Sequence, residues 1–339
     1  MASVAFPSLA KSIKTKDGTT YGLVHVPAKD ASSKKPTLLF LHGYPSSSYD
    51  WRNQIETFSA AGYEIIVPDL LGYGDTDKPT SVDDYSLVRI AGHVEDICDA
   101  LHATEGVVAI AHDWGSSLLS SVIKHNQQRY IGFVFVAVGY TADSFRDLDE
   151  VNTQLEALLG RTLLGYWKFH DQDDAADIIT KNVGAYLSLV YPEKPEVWIS
   201  DLCPIGKARE WTESGEVRPL PPWLPKEEHD FHTQILQKGG WNGPLNWYRQ
   251  AIQFVTGKAE QDLSDEQKFI TKPVFYIGAS KDFVGLEGFQ RAGTEQRAKN
   301  GFETTSIEAG HWVYLEKRKE FDDALMDWLN RTFPASPKV

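Results

Sequence analysis

Apolar residues follow two alternating rhythms along the chain. Four short unbroken runs, TLLFL (37–41), VVAIA (107–111), FVFVAV (133–138) and VFYIG (274–278), predict strands buried on both faces, because a half-exposed strand would alternate instead. A fifth run, EIIVPDL (64–70), lies between Gly62 and Gly72. Helical spacing intervenes. Between 84 and 103, Leu87, Ile90, Ala91, Val94, Ile97, Cys98 and Leu101 fall on one helical face, and near the C-terminus Phe321, Ala324, Leu325, Trp328 and Leu329 do the same. Strands alternating with helices predict an α/β fold built on a doubly wound, mostly parallel sheet.

From about Thr141 to Ile270 this rhythm stops, and aromatic, proline and acidic residues gather in pieces such as DQDDAAD, RPLPPWLP and GGWNGPLNWYR. Strand and helix resume at Pro273. The expected division is a core of 1–140 and 271–339 and an inserted, mostly helical cap of 141–270. The proline-rich 219–225 reads as a connection inside the cap.

In open α/β sheets, reactive groups gather at the carboxyl ends of strands. His42-Gly43-Tyr44-Pro45 follows the first run, Asp113-Trp114 follows 107–111, Asp282 ends YIGASKD, and His311 follows FETTSIEAG, an expected last strand. The turn after VVAIA, where many hydrolases carry serine in G-x-S-x-G, holds Asp113 in A-H-D-W-G. A serine must first lose its proton to a base; a carboxylate, with an ordinary pKa of about 4, is already ionised. It can attack an sp³ carbon directly and leave an ester whose carbonyl belongs to the protein. The competing structural role for Asp113 is a helix N-cap.

The segments HGYPSSSYDWRNQI, PDLLGYGDTDKP, AHDWGSSL, GPLNWYRQ, GASKD and GHW, in this order from about residue 20 to 332, resemble the epoxide hydrolase branch of the α/β-hydrolases, sister to the haloalkane and haloacetate dehalogenases. The resemblance implies Asp113 as nucleophile, His311 as the base that activates water, and Asp282 as the acid that orients His311. It implies an oxyanion hole from the backbone N–H groups of Tyr44 and Trp114. It also implies two phenols in the cap, Tyr248 in GPLNWYR and Tyr166 in GYWKFHDQDDAAD, as donors to the epoxide oxygen. The same resemblance implies that His42, Gly43 and Pro45 support the loop, with a cis bond at Pro45 as a hypothesis carried from the family, and that His112 is structural. Asp143, just past 133–138, is the alternative acid, since some dehalogenases place theirs there.

An opening epoxide releases an alkoxide that needs a proton or a strong hydrogen bond, whereas halide leaves as a stable anion. The two tyrosines favour the epoxide. A dehalogenase with the same nucleophile is the alternative, although the Asn of many haloalkane enzymes at the place of Tyr44 and the Arg of haloacetate enzymes after the nucleophile are both missing. A receptor that binds without turnover is the more distant one.

Composition narrows the setting. A net charge of −13 disfavours nucleic acid and anionic membrane as partners, and no 18-residue apolar run suggests a membrane span. The start, MASVAFPSLAKSIKT, lacks a signal-peptide layout, and the terminal SPKV is not a peroxisomal address. Two cysteines in unrelated contexts, Cys98 and Cys203, suit a reducing cytoplasm. Asn330-Arg331-Thr332 matches a glycosylation acceptor, a triplet common by chance. Neither a zinc motif, a dinucleotide fingerprint nor a P-loop occurs, so no metal and no cofactor are expected. The expected partners are a small apolar epoxide and water, with monomer or homodimer left open.

Overall fold

The computed structural model describes residues 2–29, 35–143 and 147–334; the terminal SPKV lies outside them. Eight strands form one sheet: β1 (Ala10–Lys14), β2 (Thr20–Val26), β3 (Thr37–Leu41), β4 (Glu64–Pro68), β5 (Val107–His112), β6 (Tyr130–Val136), β7 (Val274–Ala279) and β8 (Phe302–Ile307). Their spatial order is β1-β2-β4-β3-β5-β6-β7-β8. β1 and β2 pair antiparallel, as do β2 and β4; every later pairing is parallel. The sheet class is the one expected.

The central strands β3, β5 and β7 are buried at every position, which is why they read as unbroken apolar runs. Two strands went unforeseen. β1 (AKSIK) is an edge with mostly exposed residues, and in β2 (TYGLVHV) Gly22 and His25 interrupt the apolar run. His25 is buried there because its Nε2 meets Glu64 Oε1 at 2.8 Å. The predicted 84–103 helix spans Leu87–Ala100 and buries Leu87, Ile90, Ala91, Val94, Ile97 and Cys98; the chain leaves the helix at Leu101. The C-terminal helix, Arg318–Thr332, buries Phe321, Leu325, Trp328 and Leu329.

After β3 the chain steps outward to β4 and then returns to the other side of β3 as β5. The order of strands therefore reverses between β3 and β5, paired in register from Thr37↔Val107 to Leu41↔Ala111. A crevice opens at the carboxyl ends of two such strands, where ligands bind in open α/β sheets. Above it, between β6 and β7, lies the cap. Among the described residues it holds helices and no strand, including Leu148–Leu159, Gly165–His170, Val183–Val190, Lys226–Gly239 and Asn242–Ile252.

Candidate active site

Asp113 occupies the turn between β5 and the helix Trp114–Asn126 with φ 54° and ψ −122°, a region that L-residues rarely enter. Such a conformation costs on the order of 1–3 kcal/mol and persists only where the surroundings enforce it. They do so by close approach. A Cβ on Gly115 would lie 2.5 Å from the Leu41 carbonyl oxygen, and one on Gly43 would lie 2.5 Å from Asp113 Cβ. Glycine at 43 and 115 thus lets the end of β3 press against the turn. Asp113 accepts no side-chain cap bond to its own helix, so the N-cap role is set aside. Its carboxylate instead points across the crevice, where the Tyr44 N–H donates to Oδ1 at 2.8 Å.

The loop bearing Tyr44 is itself tied down. His42 Nδ1–H donates to the Gly43 carbonyl at 2.9 Å, and Leu70 N–H donates to His42 Nε2 at 2.9 Å. Both ring nitrogens are thereby assigned, and burial lowers the imidazole pKa to about 4, so His42 stays neutral. The Tyr44–Pro45 peptide is cis.

His311 follows β8 and stands over Asp113, its Nε2 3.6 Å from Oδ2, too long for a hydrogen bond but close for an ion pair. On its other side, His311 Nδ1–H donates to Asp282 Oδ2 at 2.6 Å. Asp282 Oδ1 accepts from the backbone N–H groups of Val284, at 2.9 Å, and Gly285, at 2.8 Å. Burial opposes charge on both carboxylates, yet His311 and backbone donors outweigh it, and both stay below the usual carboxylate range. The Trp114 N–H is among the groups that hold Asp113 ionised. Burial also works against a charged His311, but Asp282 and Asp113 override it and push its pKa up to about 10. Asp143, the alternative acid, is exposed and pairs with Lys268 at 2.7 Å instead.

His112 supports His311 from below. It is fully buried and its Nε2–H donates to the His311 carbonyl at 2.9 Å. Burial takes its pKa down to about 3, a neutral structural group.

The cap brings Tyr166, from Gly165–His170, and Tyr248, from Asn242–Ile252, to the same place, their ring centroids 5.9 Å apart. Tyr248 is enclosed by edge-on rings: Tyr44 at 4.8 Å, His170 at 4.4 Å, Trp114 at 5.1 Å and Trp167 at 5.2 Å. Burial raises both phenols well above their ordinary pKa, with the Asp113 charge adding to it, so both keep their protons.

Two groups of polar residues were not foreseen. The Tyr44 hydroxyl meets the Tyr186 hydroxyl at 2.6 Å, which meets His170 Nε2 at 2.8 Å, a buried chain between the loop bearing Tyr44 and the cap. Tyr191 donates to the Pro45 carbonyl at 3.0 Å and meets His232 Nε2 at 2.9 Å, while His232 Nδ1 lies 3.1 Å from the buried Asp50. These partners are separated in sequence by 16 to 182 positions (His232 minus Asp50), so no local spacing could have revealed them.

Two cavities meet at Asp113. One of about 260 Å³ is lined largely by apolar residues, among them Val151, Leu155, Leu164, Trp167 and Phe289. The other, about 30 Å³, lies against His311, Tyr248, Trp198 and Leu202. Among the described residues, no group of three or more His, Cys, Asp or Glu side chains could hold a metal ion, and no helix is long and apolar enough to cross a membrane. Cys98 and Cys203 are both buried free thiols.

The sequence profile described as the alpha/beta hydrolase fold matches residues 36–318. Epoxide hydrolase B of Mycobacterium tuberculosis is 25% identical over 336 residues, covering 88% of this chain and 92% of that protein. Epoxide hydrolase 2 of Siraitia grosvenorii is 26% identical over 310 residues, covering 87% and 92%. In three dimensions, epoxide hydrolase A of Mycobacterium thermoresistibile superposes with a TM-score of 0.81 at 24% identity, covering 97% of this chain and 99% of that one, a likeness of fold.

Proposed function

The chain belongs to the α/β-hydrolase fold family, and from that premise we propose that it hydrolyses an epoxide to a vicinal diol through an ester on Asp113. The observation that carries this reading is the division of labour at Asp113: Oδ1 is held by the Tyr44 N–H, while Oδ2 faces His311 at 3.6 Å. The relatives named epoxide hydrolase support it.

In this reading the core of 1–140 and 271–339 supplies nucleophile and base, and the cap of 141–270 supplies the donors. Oδ2 attacks a ring carbon, the C–O bond breaks, and the departing oxygen takes a proton from Tyr166 or Tyr248. A phenol donating in a dry site contributes about 10²–10⁴ in rate. Two phenols beside the nucleophile suit an alkoxide leaving group better than halide.

His311 acts next. While Asp113 is charged, two carboxylates keep the imidazole protonated. Esterification removes one of those charges, so the proton affinity of His311 falls and the ring becomes a base. Ring opening takes up one proton and His311 releases one, so the two changes balance. Neutral His311 then removes a proton from water, the hydroxide adds to Cγ of Asp113, and the oxyanion forms on Oδ1 between the Tyr44 and Trp114 N–H groups. A donor of this kind is worth about 3 kcal/mol. Collapse breaks the Cγ–Oδ2 bond; protonated His311 gives its proton to the departing oxygen, completing the diol, and the new Asp113 carboxyl returns a proton to His311, restoring the ion pair.

The test is intact mass after mixing with styrene oxide. His311→Gln should gain one substrate mass, and Asp113→Ala should gain none and form no diol. Diol production at wild-type rate by either variant would overturn the assignment.

A further inference from the structure

The two cavities differ almost ninefold in volume, about 260 Å³ against about 30 Å³. Asp113, Tyr166 and Val284 line both, so the nucleophile stands at their junction. An epoxide seated there has one ring carbon facing each cavity. The room open to the centre of a water-sized group is therefore far smaller on the His311 side than on the other.

The walls sharpen the difference. In the large arm Asp113 is the one charged side chain among the described lining residues, and Val151, Leu155, Leu163, Leu164 and Trp167 give it an apolar surface. The arm runs toward the helices Leu148–Leu159 and Glu287–Arg297, where Phe289 is half exposed. The small arm is closed by buried Val190, Trp198 and Leu202 and includes His311. It is therefore also the space in which His311 must meet water. A second bulky substituent would collide with these walls and displace that water.

Resting on the reading of this site as an epoxide hydrolase, we propose that its substrates are epoxides with one large uncharged apolar substituent on one ring carbon and nothing beyond a methyl group on the other. Terminal epoxides fit this description, and epoxides with bulky groups on both carbons do not. A misfit of one methylene in an apolar pocket costs about 10- to 200-fold in selectivity.

The experiment compares styrene oxide with trans-stilbene oxide, which differ by one phenyl ring in place of hydrogen on the second carbon. Expected is kcat/KM at least about 100-fold higher for styrene oxide. In Leu202→Ala, which widens the small arm, kcat/KM for trans-stilbene oxide should rise at least about tenfold. Comparable turnover of both epoxides by the wild type would overturn the proposal and leave epoxide hydrolysis standing. So would a folded Leu202→Ala variant with unchanged selectivity. Turnover of neither epoxide, with no mass adduct in His311→Gln, would remove the underlying reading instead.

Discussion

On the sheet side of the site Asp113 and His311 are fixed by hydrogen bonds, whereas on the cap side the Tyr248 phenol is enclosed by the packing of rings. Asp113 is held by the Tyr44 N–H, and His311 by Asp282, which in turn is held by two backbone N–H groups. Each bond is directional, so these atoms are placed by geometry laid down in strand ends and turns. Tyr248 instead sits among the rings of Tyr44, His170, Trp114 and Trp167, whose edge-to-face contacts fix a plane more loosely. The proposed reaction would account for the contrast. In it, ester hydrolysis at one carbonyl has a fixed geometry in every turnover, while the oxygen of an opening ring arrives from substrates of differing shape.

The largest expected break falls on the hydrogen-bonded side. Asp282→Asn keeps the shape but removes the charge that orients and holds protonated His311, and ester hydrolysis should slow by about 10⁴-fold. Alkylation should survive, so the adduct accumulates; rapid steady-state diol formation by this variant would show that the oriented pair is unnecessary. On the packed side the losses should be smaller. Tyr248→Phe and Tyr166→Phe should each slow alkylation by about 10²-fold, with the double variant slower than either, measured by rapid mixing in a single turnover. Equal rates in either single variant and the wild type would remove that phenol as a donor.

The smallest effect is on stability. Because the His311 pKa is raised from 6.5 to about 10 in the folded protein, its stabilising charge is fully present below pH 6.5 and is lost as the pH rises toward 10. The melting temperature should decline over that window. Asp113→Asn removes one of the two carboxylates responsible, so its decline should be shallower. Identical profiles would mean that Asp113 does not hold the His311 charge.

Asp113 and Asp282 were legible because each follows a strand with an unbroken apolar run, at the end where such sheets bind ligands, whereas His311 follows the largely polar β8 (FETTSI) and was named from the GHW resemblance and chain order. Tyr166 and Tyr248 were named from motif resemblance alone; nothing in their local spacing marks them. The antiparallel strands β1 and β2 escaped notice because one is a solvated edge and the other carries a histidine whose partner, Glu64, is 39 positions away. Asp143 was a candidate acid by position in the chain, but its side chain turns to Lys268 on the surface.

The sequence by itself determined the strand-and-helix rhythm, the order Asp113, Asp282, His311 and the helical insertion, since these were read from local runs, turns and short motifs and from their order along the chain. Only the folded chain decided the strain at Asp113, the proton affinity of His311, the chains joining Tyr44 to His170 and Pro45 to Asp50, and the unequal arms of the cavity. These depend on burial and on contacts between distant segments. A residue's charge and reach are set by what is packed against it, and that packing exists only once the cap lies on the sheet.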